Sequence, residues 1–323
     1  MNLQDTIHSM NYFGKHRIPF IFIINYKMDN CMVMSPDEAM GYGILFNFNG
    51  YRNYSENQII KPVTILDYEP VAYEQFLESF LAVQQELNAG NSYLVNLTFP
   101  TRIKIKGTLR ELFFFNNATH RLLYRDEFVV FSPEYFVRIM NGKIFTYPMK
   151  GTIDASIKHA RDIILADQKE KAEHATIVDL LRNDISRVAK NVSVDRYRYI
   201  DVIKSDKYNL LQVSSEISGL LPDDYDKHLG DIVTSLLPAG SVTGAPKQKT
   251  LEIISKVETY ERGFYTGVAG FYDGEKLESC VLIRFIQHEN GQFYYKSGGG
   301  VTFMSNAAKE YRELNEKIYV PSD

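Results

Sequence analysis

Two pairs of glutamates, far apart in the chain, carry the strongest hint of chemistry. Glu170 and Glu173 stand in the run KEKAEHATIVDLLRND, and Glu310 and Glu313 in KEYRELNEKI. Both pairs have i, i+3 spacing, which on a helix puts two carboxylates on one face. Both segments also carry an apolar stripe that would anchor a helix on a core. In the second, Ala307, Tyr311, Leu314 and Ile318 form that stripe. Glu310, Glu313 and Lys317 form another, about 90–100° round the helix. Carboxylates gathered in one pocket repel unless a cation or a shifted protonation offsets them. Where they leave coordination positions to water and substrate, they suit Mg²⁺. Taken alone, the last helix is more simply read as a solvated edge with a Glu313–Lys317 ion pair.

Three further motifs surround these pairs. Ser297-Gly298-Gly299-Gly300 follows a strand and precedes the last helix. Consecutive glycines let backbone N–H groups converge on an anion, although three glycines alone more often make a bend. LLPAGSVTGAPKQKTLEII reads as a loop entering a helix, with Thr243 as cap, Pro246 in the first turn, and Leu251, Ile254 and Val257 on the buried side. A helix start of this kind favours a carboxylate or phosphate. It is not a Walker A loop, because the Gly240–Gly244 spacing is one residue short and Ala-Pro intrudes before Lys247. Finally, Tyr147-Pro148-Met149-Lys150-Gly151-Thr152 puts a lysine at a strand end, and Ser132-Pro133-Glu134 puts an acid just after an earlier strand. A short hairpin turning at Asn141-Gly142 would let Glu134 and Lys150 face each other across a cleft. An ion pair is the simpler reading; a lysine becomes nucleophilic only where burial or neighbours lower its pKa. His174 adjoins Glu173 but has no second histidine at ligand spacing, and no GxSxG or HExxH motif occurs.

The elements that must position these residues follow from patterning. Short apolar runs at Phe20–Tyr26, Cys31–Ser35 and Gly43–Phe48 make the first 70 residues read as β-rich. Tyr73–Leu87 reads as a helix ended by Gly90-Asn91. Strands follow at Tyr93–Phe99, Glu127–Phe131, Phe136–Ile139 and Ile144–Tyr147, and a helical block covers His159–Ala189. Val268–Tyr272, Ser279–Gln287 and Gln292–Lys296 are strands, and Asn306–Ile318 is the last helix. The absence of regular βαβ alternation argues against a TIM barrel or a doubly wound sheet. One large α+β domain is expected, with residues 1–70 joined to the sheets of a core over 71–323.

Composition supports a soluble enzyme: 45% hydrophobic, 24% charged and a net charge of −4 over 323 residues. There is no basic excess for nucleic acid or a membrane surface, and the longest apolar run is too short to span a bilayer. No export signal is visible, and Cys31 and Cys280 lack ligand spacing, so a reduced cytoplasm and structural thiols are expected.

In their order, these motifs resemble the chorismate-utilising enzymes, which include anthranilate, isochorismate and salicylate synthases and the synthase component of 4-aminobenzoate formation. The resemblance covers roughly residues 70–320 through GNSYLVNLTFP, SPEYF, YPMKGT, EHATIVDLLRND, LLPAGSVTGAPK, VLIRF, SGGGV and EYRELNEK. It is strongest to component I of aminodeoxychorismate synthase, whose Pro-Ile-Lys-Gly-Thr hallmark is matched by Pro148 to Thr152 with Met149 for isoleucine. The resemblance implies a single domain of packed β-sheets with helices outside. It implies Mg²⁺ held chiefly by Glu173 and Glu313, helped by Glu170 and Glu310, with Lys317 beside them. Arg284, Tyr265 and the backbone of Gly298, Gly299 and Gly300 would hold the enolpyruvyl carboxylate of chorismate, and Thr243 and Gly244 would line the pocket. Glu134 corresponds to the general acid for the departing C4 hydroxyl, and Lys150 to the lysine that attacks C2 before ammonia resolves the adduct. Gln212 stands where many relatives have histidine. No Leu-Leu-Glu-Ser tryptophan element and no amidotransferase nucleophile turn are present, so ammonia is expected from a glutamine amidotransferase partner or from solution. Anthranilate synthase is disfavoured by Lys150 and isochorismate synthase by the DLLRND run. A binding-only subunit is disfavoured by the retained acids and lysine.

Overall fold

The run Phe20–Ile24 is buried at every position, which requires cover on both faces of its strand. Phe20, Phe22 and Ile24 point into a core shared with helices, whereas Ile21 and Ile23 point into a core shared with a second sheet. The period of two therefore sorts one apolar run into two different cores. The computed structural model describes residues 1–55, 63–203 and 209–319.

Among the described residues, two antiparallel sheets of nine strands each face one another. The first sheet runs in the order Met149–Asp154, Leu210–Leu220, Lys143–Thr146, Tyr135–Met140, Leu277–Val281, Val268–Tyr272, Phe20–Ile24 and Cys31–Met34. Lys190–Ile203 pairs along the other edge of Leu210–Leu220. The second runs Gly244–Ala245, Leu94–Lys106, Gln292–Val301, Phe285–Glu289, Phe128–Ser132, His120–Tyr124, Ile44–Phe48 and Tyr51–Arg52, with Thr64–Glu69 on Leu94–Lys106. Phe46, Leu122, Phe128 and Phe285 from the second sheet meet Ile21, Ile23 and Phe271 from the first in the shared core. Helices cover the outer faces: Met10, Ile232 and Val233 on one, and Leu109, Leu112 and Phe113 on the other. A further cluster joins Phe76, Phe80, Ile254 and Leu314 to Val95, Leu97 and Val301, and so seats three helices on the edge of the second sheet. The expected α+β class, with packed sheets and helices outside, is what the chain adopts.

Several elements differ from the sequence reading. The first 70 residues also hold a helix, Leu3–Lys15, capped by Asn2 accepting from Asp5 N. Its buried positions are Thr6, Met10 and Gly14, so its inner face carries little hydrophobic signal. A Cβ on Gly14 would lie 2.2 Å from the Asp226 carbonyl oxygen, which explains the glycine. The block 159–189 is two helices, Ala160–Ala166 and Gln168–Ser186, separated at Asp167, whose side chain caps the second by accepting from Glu170 N. The long hairpin of Lys190–Ile203 and Leu210–Leu220 lies outside the elements expected from the sequence, because the alternation of Val192 and Val194 changes phase before Tyr197 and Tyr199, where the pairing register shifts. The stretch 279–287 is not one strand. It leaves the first sheet after Val281 and enters the second at Phe285, turning where Arg284 has φ +54°.

His120 lies between these sheets, fully buried, with its ring 4.5 Å from that of Tyr135 and neither ring nitrogen hydrogen-bonded. Burial first, and the Arg138 charge second, push its pKa down to about 4, outweighing the Ser132 backbone carbonyl nearby, which raises it. The folded protein thus holds His120 neutral while the unfolded chain takes up a proton below its ordinary value near 6.5. Stability from this group is full above that value and is lost as pH falls toward 4, by roughly 3 kcal/mol. Urea titrations at pH 7 and pH 4.5 should show a smaller loss in His120→Phe than in wild type. Equal losses would contradict this.

Candidate active site

The chain crosses between the sheets at Ser132-Pro133-Glu134, and this crossing sets the acid. Ser132 Oγ accepts from Glu134 N at 3.1 Å, and the Glu134 carbonyl accepts from Val281 N. The Glu134 side chain is turned into a cleft of about 370 Å³, counted to its open mouth, that it shares with Tyr147, Asp184 and Ser241. Ser241 Oγ donates to Glu134 Oε1. Burial raises the Glu134 pKa, with the Ser241 hydrogen bond and the Lys150 charge opposing it. A carboxyl held toward its protonated form is suited to giving a proton away.

Lys150 belongs to the first sheet, on the short strand Met149–Asp154 along Leu210–Leu220. The register shifts between Lys150 and Thr152, with Gly151 at φ +77°. Such a bulge re-aims the neighbouring side chain. A Cβ on Gly151 would also lie 2.9 Å from Glu170 Oε2, so the glycine serves both the bulge and the approach of the acidic helix. Lys150 reaches the second sheet: its Nζ lies 3.3 Å from where a Cβ on Gly300 would stand, and Leu94 Cδ1 lies 2.9 Å from the same point. Among the described residues the Lys150 side chain makes no hydrogen bond or ion pair, so the Lys150–Glu134 ion pair is not formed. Its charge nevertheless acts on Glu134, Glu170, Glu313 and Lys317.

The glycine run is strand, not a bend. Gly298, Gly299 and Gly300 pair with Thr98, Leu97 and Asn96 inside Gln292–Val301. Glycine is required because a Cβ on Gly298 would lie 2.4 Å from Thr98 Cγ2, while Gly299 faces Glu310 Oε2 and Lys317 Nζ, each 3.7 Å from its Cβ position. The pattern opens a floor under the last helix, and a second hollow of about 240 Å³ is lined there by Gly299, Glu310, Glu313 and Lys317.

The two acidic helices converge. Glu173 and Glu310 are 8% and 6% exposed. Lys169 joins them, with Nζ 3.0 Å from Glu310 Oε1 and 3.5 Å from Glu173 Oε1. Lys317 Nζ lies 2.8 Å from Glu313 Oε1 and donates to the Gly298 carbonyl at 2.9 Å. Burial raises the Glu170 pKa, and the Glu173 charge adds to it. Burial works against the charge of Glu313, but Lys317 outweighs it and holds that carboxyl below its ordinary value. Arg284 donates to the Lys317 carbonyl at 3.3 Å and stacks 4.8 Å from the Tyr319 ring. Tyr265 is buried against Phe285, close enough to Arg284 to feel its charge.

Thr243 and Gly244 lie between the turn carrying Ser241 and the next helix. The helix after them is Lys247–Val257, begun at Pro246 without a side-chain cap, and its buried side is Thr250, Ile253 and Ile254. Thr243 is fully buried and donates to the Ala239 carbonyl at 2.7 Å, so it braces the loop instead of capping. Gly244, at φ +141°, pairs with Val95; a Cβ would lie 1.8 Å from the Leu94 carbonyl oxygen. Gln212 pairs with Thr152 and Asp201. His174 bonds Ser215 Oγ at 2.7 Å, in a structural part.

A family model described as chorismate binding enzyme matches residues 54–323. The chain belongs to this family. It is 45% identical over 319 residues to an uncharacterized PabA-like protein of Haemophilus influenzae, covering 99% of this chain and 97% of that one. It is 32% identical over 259 residues to aminodeoxychorismate synthase component 1 of Salmonella typhimurium, covering 76% of this chain and 56% of that enzyme. Anthranilate synthase component I of Streptococcus pneumoniae superposes with a TM-score of 0.67 at 25% identity, over 81% of this chain and 60% of that one. No helix among the described residues is long and apolar enough to cross a membrane.

Within this chorismate-binding enzyme, the fit of a divalent cation can be judged from the carboxylates. Among the described residues no three acids, histidines or cysteines are drawn together as a ready ligand set. What is present is a pair of buried carboxylates from two helices, closed on an ammonium, with Glu173 Oε1 lacking any hydrogen bond. An orphaned buried carboxylate oxygen beside a resident cation fits an oxygen-seeking metal whose remaining positions go to water and substrate. Sequence reasoning missed Lys169 and Ser241. Lys169 stands at i, i+4 to Glu173, a spacing that signals a pair but not its reach to Glu310. It also missed the buried Asp184–Lys247 pair at 2.8 Å, in which Lys247 also donates to the Leu236 carbonyl and so ties the Ser241 loop to the acidic helix.

Proposed function

We propose that this chorismate-binding enzyme is component I of aminodeoxychorismate synthase, converting chorismate and ammonia to 4-amino-4-deoxychorismate for 4-aminobenzoate and folate formation. What supports this assignment is Lys150, whose side chain has no hydrogen bond or ion pair among the described residues where the two sheets meet, and whose charge acts on Glu134, an acid whose pKa burial raises. Lys150 first gives up a proton to solvent, and its free amine then adds at C2 as the ring double bonds shift and the C4–O bond breaks. Glu134 gives its proton to the departing oxygen, which leaves as water. Ammonia then adds at C4, the bond from C2 to the lysine nitrogen breaks, and Lys150 is regenerated. One difficult displacement of hydroxide becomes two easier steps.

Glu173 and Glu313, with Glu170 and Glu310, would hold Mg²⁺ against the ring carboxylate. When bound, that ion orients the substrate and withdraws electron density from the ring. Arg284, Tyr265 and the Gly298–Gly300 backbone would receive the enolpyruvyl carboxylate, with Lys317 beside the metal ligands and Thr243 and Gly244 lining the pocket. Ammonia would come from a glutamine amidotransferase subunit, in keeping with the relative named component 1, and the reaction would take place in the cytoplasm. Residues 1–70 and 71–323 would act as one domain.

The test is to incubate the purified chain with chorismate, Mg²⁺ and ammonium and to measure pyruvate and products. Aminodeoxychorismate without pyruvate is expected. Anthranilate with pyruvate would show the first rival activity. Isochorismate formed without ammonia would show the second, and tight chorismate binding without turnover would show a binding subunit. Lys150→Ala should slow turnover by roughly 10²-fold or more and abolish the mass shift of a trapped chorismate adduct. An adduct surviving on another residue would reject this nucleophile.

A further inference from the structure

Three of the four carboxylates do not await a metal uncompensated. Lys169 already spans Glu173 and Glu310, and Lys317 holds Glu313. The two lysines are held differently. Lys317 is fastened to the Gly298 carbonyl as well as to its acid. Lys169 bonds only carboxylates, and its side chain is 34% exposed, against 10% for Glu173 and 5% for Glu310. Its head therefore has a path to solvent that the two acids lack. Burial opposes its charge, but Glu173 and then Glu310 outweigh that and keep the ammonium protonated.

An ammonium and a divalent cation cannot share the space between two carboxylate oxygens, because like charges at contact repel strongly in a partly buried site. We propose that Lys169 is a resident counter-ion that holds Glu173 and Glu310 together across the cleft, and that a divalent cation enters by displacing its ammonium into solvent. This rests on the metal reading above and adds a competition to it. The metal-free cleft stays closed on its own lysine, and the apparent metal affinity is lowered by the occupancy of that state.

Mn²⁺ is a suitable probe, with binding measured by calorimetry or by loss of the free-ion paramagnetic signal, on the full chain without and with chorismate. Lys169→Met should bind Mn²⁺ at least about tenfold more tightly than wild type. Its melting temperature should fall in chelator and recover with Mn²⁺, by more than the wild type's changes. Lys169→Arg, whose planar fork grips two carboxylates more firmly, should bind Mn²⁺ more weakly. It also carries the test if Lys169→Met does not fold. Equal affinity in wild type and both variants, with Mn²⁺ bound in the presence of chorismate, would overturn the displacement alone. No Mn²⁺ binding by any form, even with chorismate, would overturn the metal reading together with it.

Discussion

Glu134→Gln should lower kcat by about 10²–10⁴-fold, the usual contribution of a positioned general acid. Glutamine preserves the shape of the side chain and can still accept from Ser241, so the crossing at Ser132-Pro133-Glu134 should keep its geometry. What it removes is the proton. Burial raises the pKa of Glu134, so the active, protonated form is lost as pH rises through that raised value. The alkaline limb of the wild-type profile should therefore be missing in the variant, which a fall in kcat from mere misfolding would not produce. Wild-type kcat in Glu134→Gln, or an unchanged alkaline limb, would remove Glu134 from the acid's role.

Glu173→Gln should abolish most Mg²⁺-dependent turnover, by about 10²–10³-fold, corresponding to the several kcal/mol of charge stabilisation a bound ion supplies. Glu173 is buried and carries a carboxylate oxygen with no hydrogen bond, which leaves that oxygen open to a cation. Glu313→Gln should have the same dependence with little effect on folding, because its side chain is half exposed while Leu314 and Ile318 anchor the helix. Titrating kcat with Mg²⁺ at saturating chorismate, beside thermal melts, separates the two effects. Wild-type Mg²⁺ dependence in both variants would contradict the ligand assignment.

Local chemistry was written plainly in the chain. The i, i+3 spacing of Glu170 with Glu173 and of Glu310 with Glu313 set which side of each helix is acidic, since helical geometry needs only neighbours in sequence. The apolar stripe through Leu314 and Ile318 set which side is buried, and the short apolar run at Phe20–Tyr26 marked a strand there. Lys150 and Glu134 were likewise visible as a lysine and an acid at strand ends. The motif order also pointed to the family, which the match over residues 54–323 bears out.

Which faces meet is a different matter, because it is settled by pairing between distant segments. The strand Leu94–Lys106 lies beside Gln292–Val301, and that pairing turned three glycines from an apparent bend into the flat floor beneath Glu310 and Lys317. The chain crosses between the sheets at Glu134 and again at Arg284, and no local spacing encodes a crossing. The helix Leu3–Lys15 buries Thr6 and Gly14 against a distant loop, so its inner face becomes apparent only once that loop is in place. Lys169 shows the division most clearly. Its pairing with Glu173 follows from one helix, but its contact with Glu310 exists only because a second helix, formed about a hundred and forty residues later, is folded against the first.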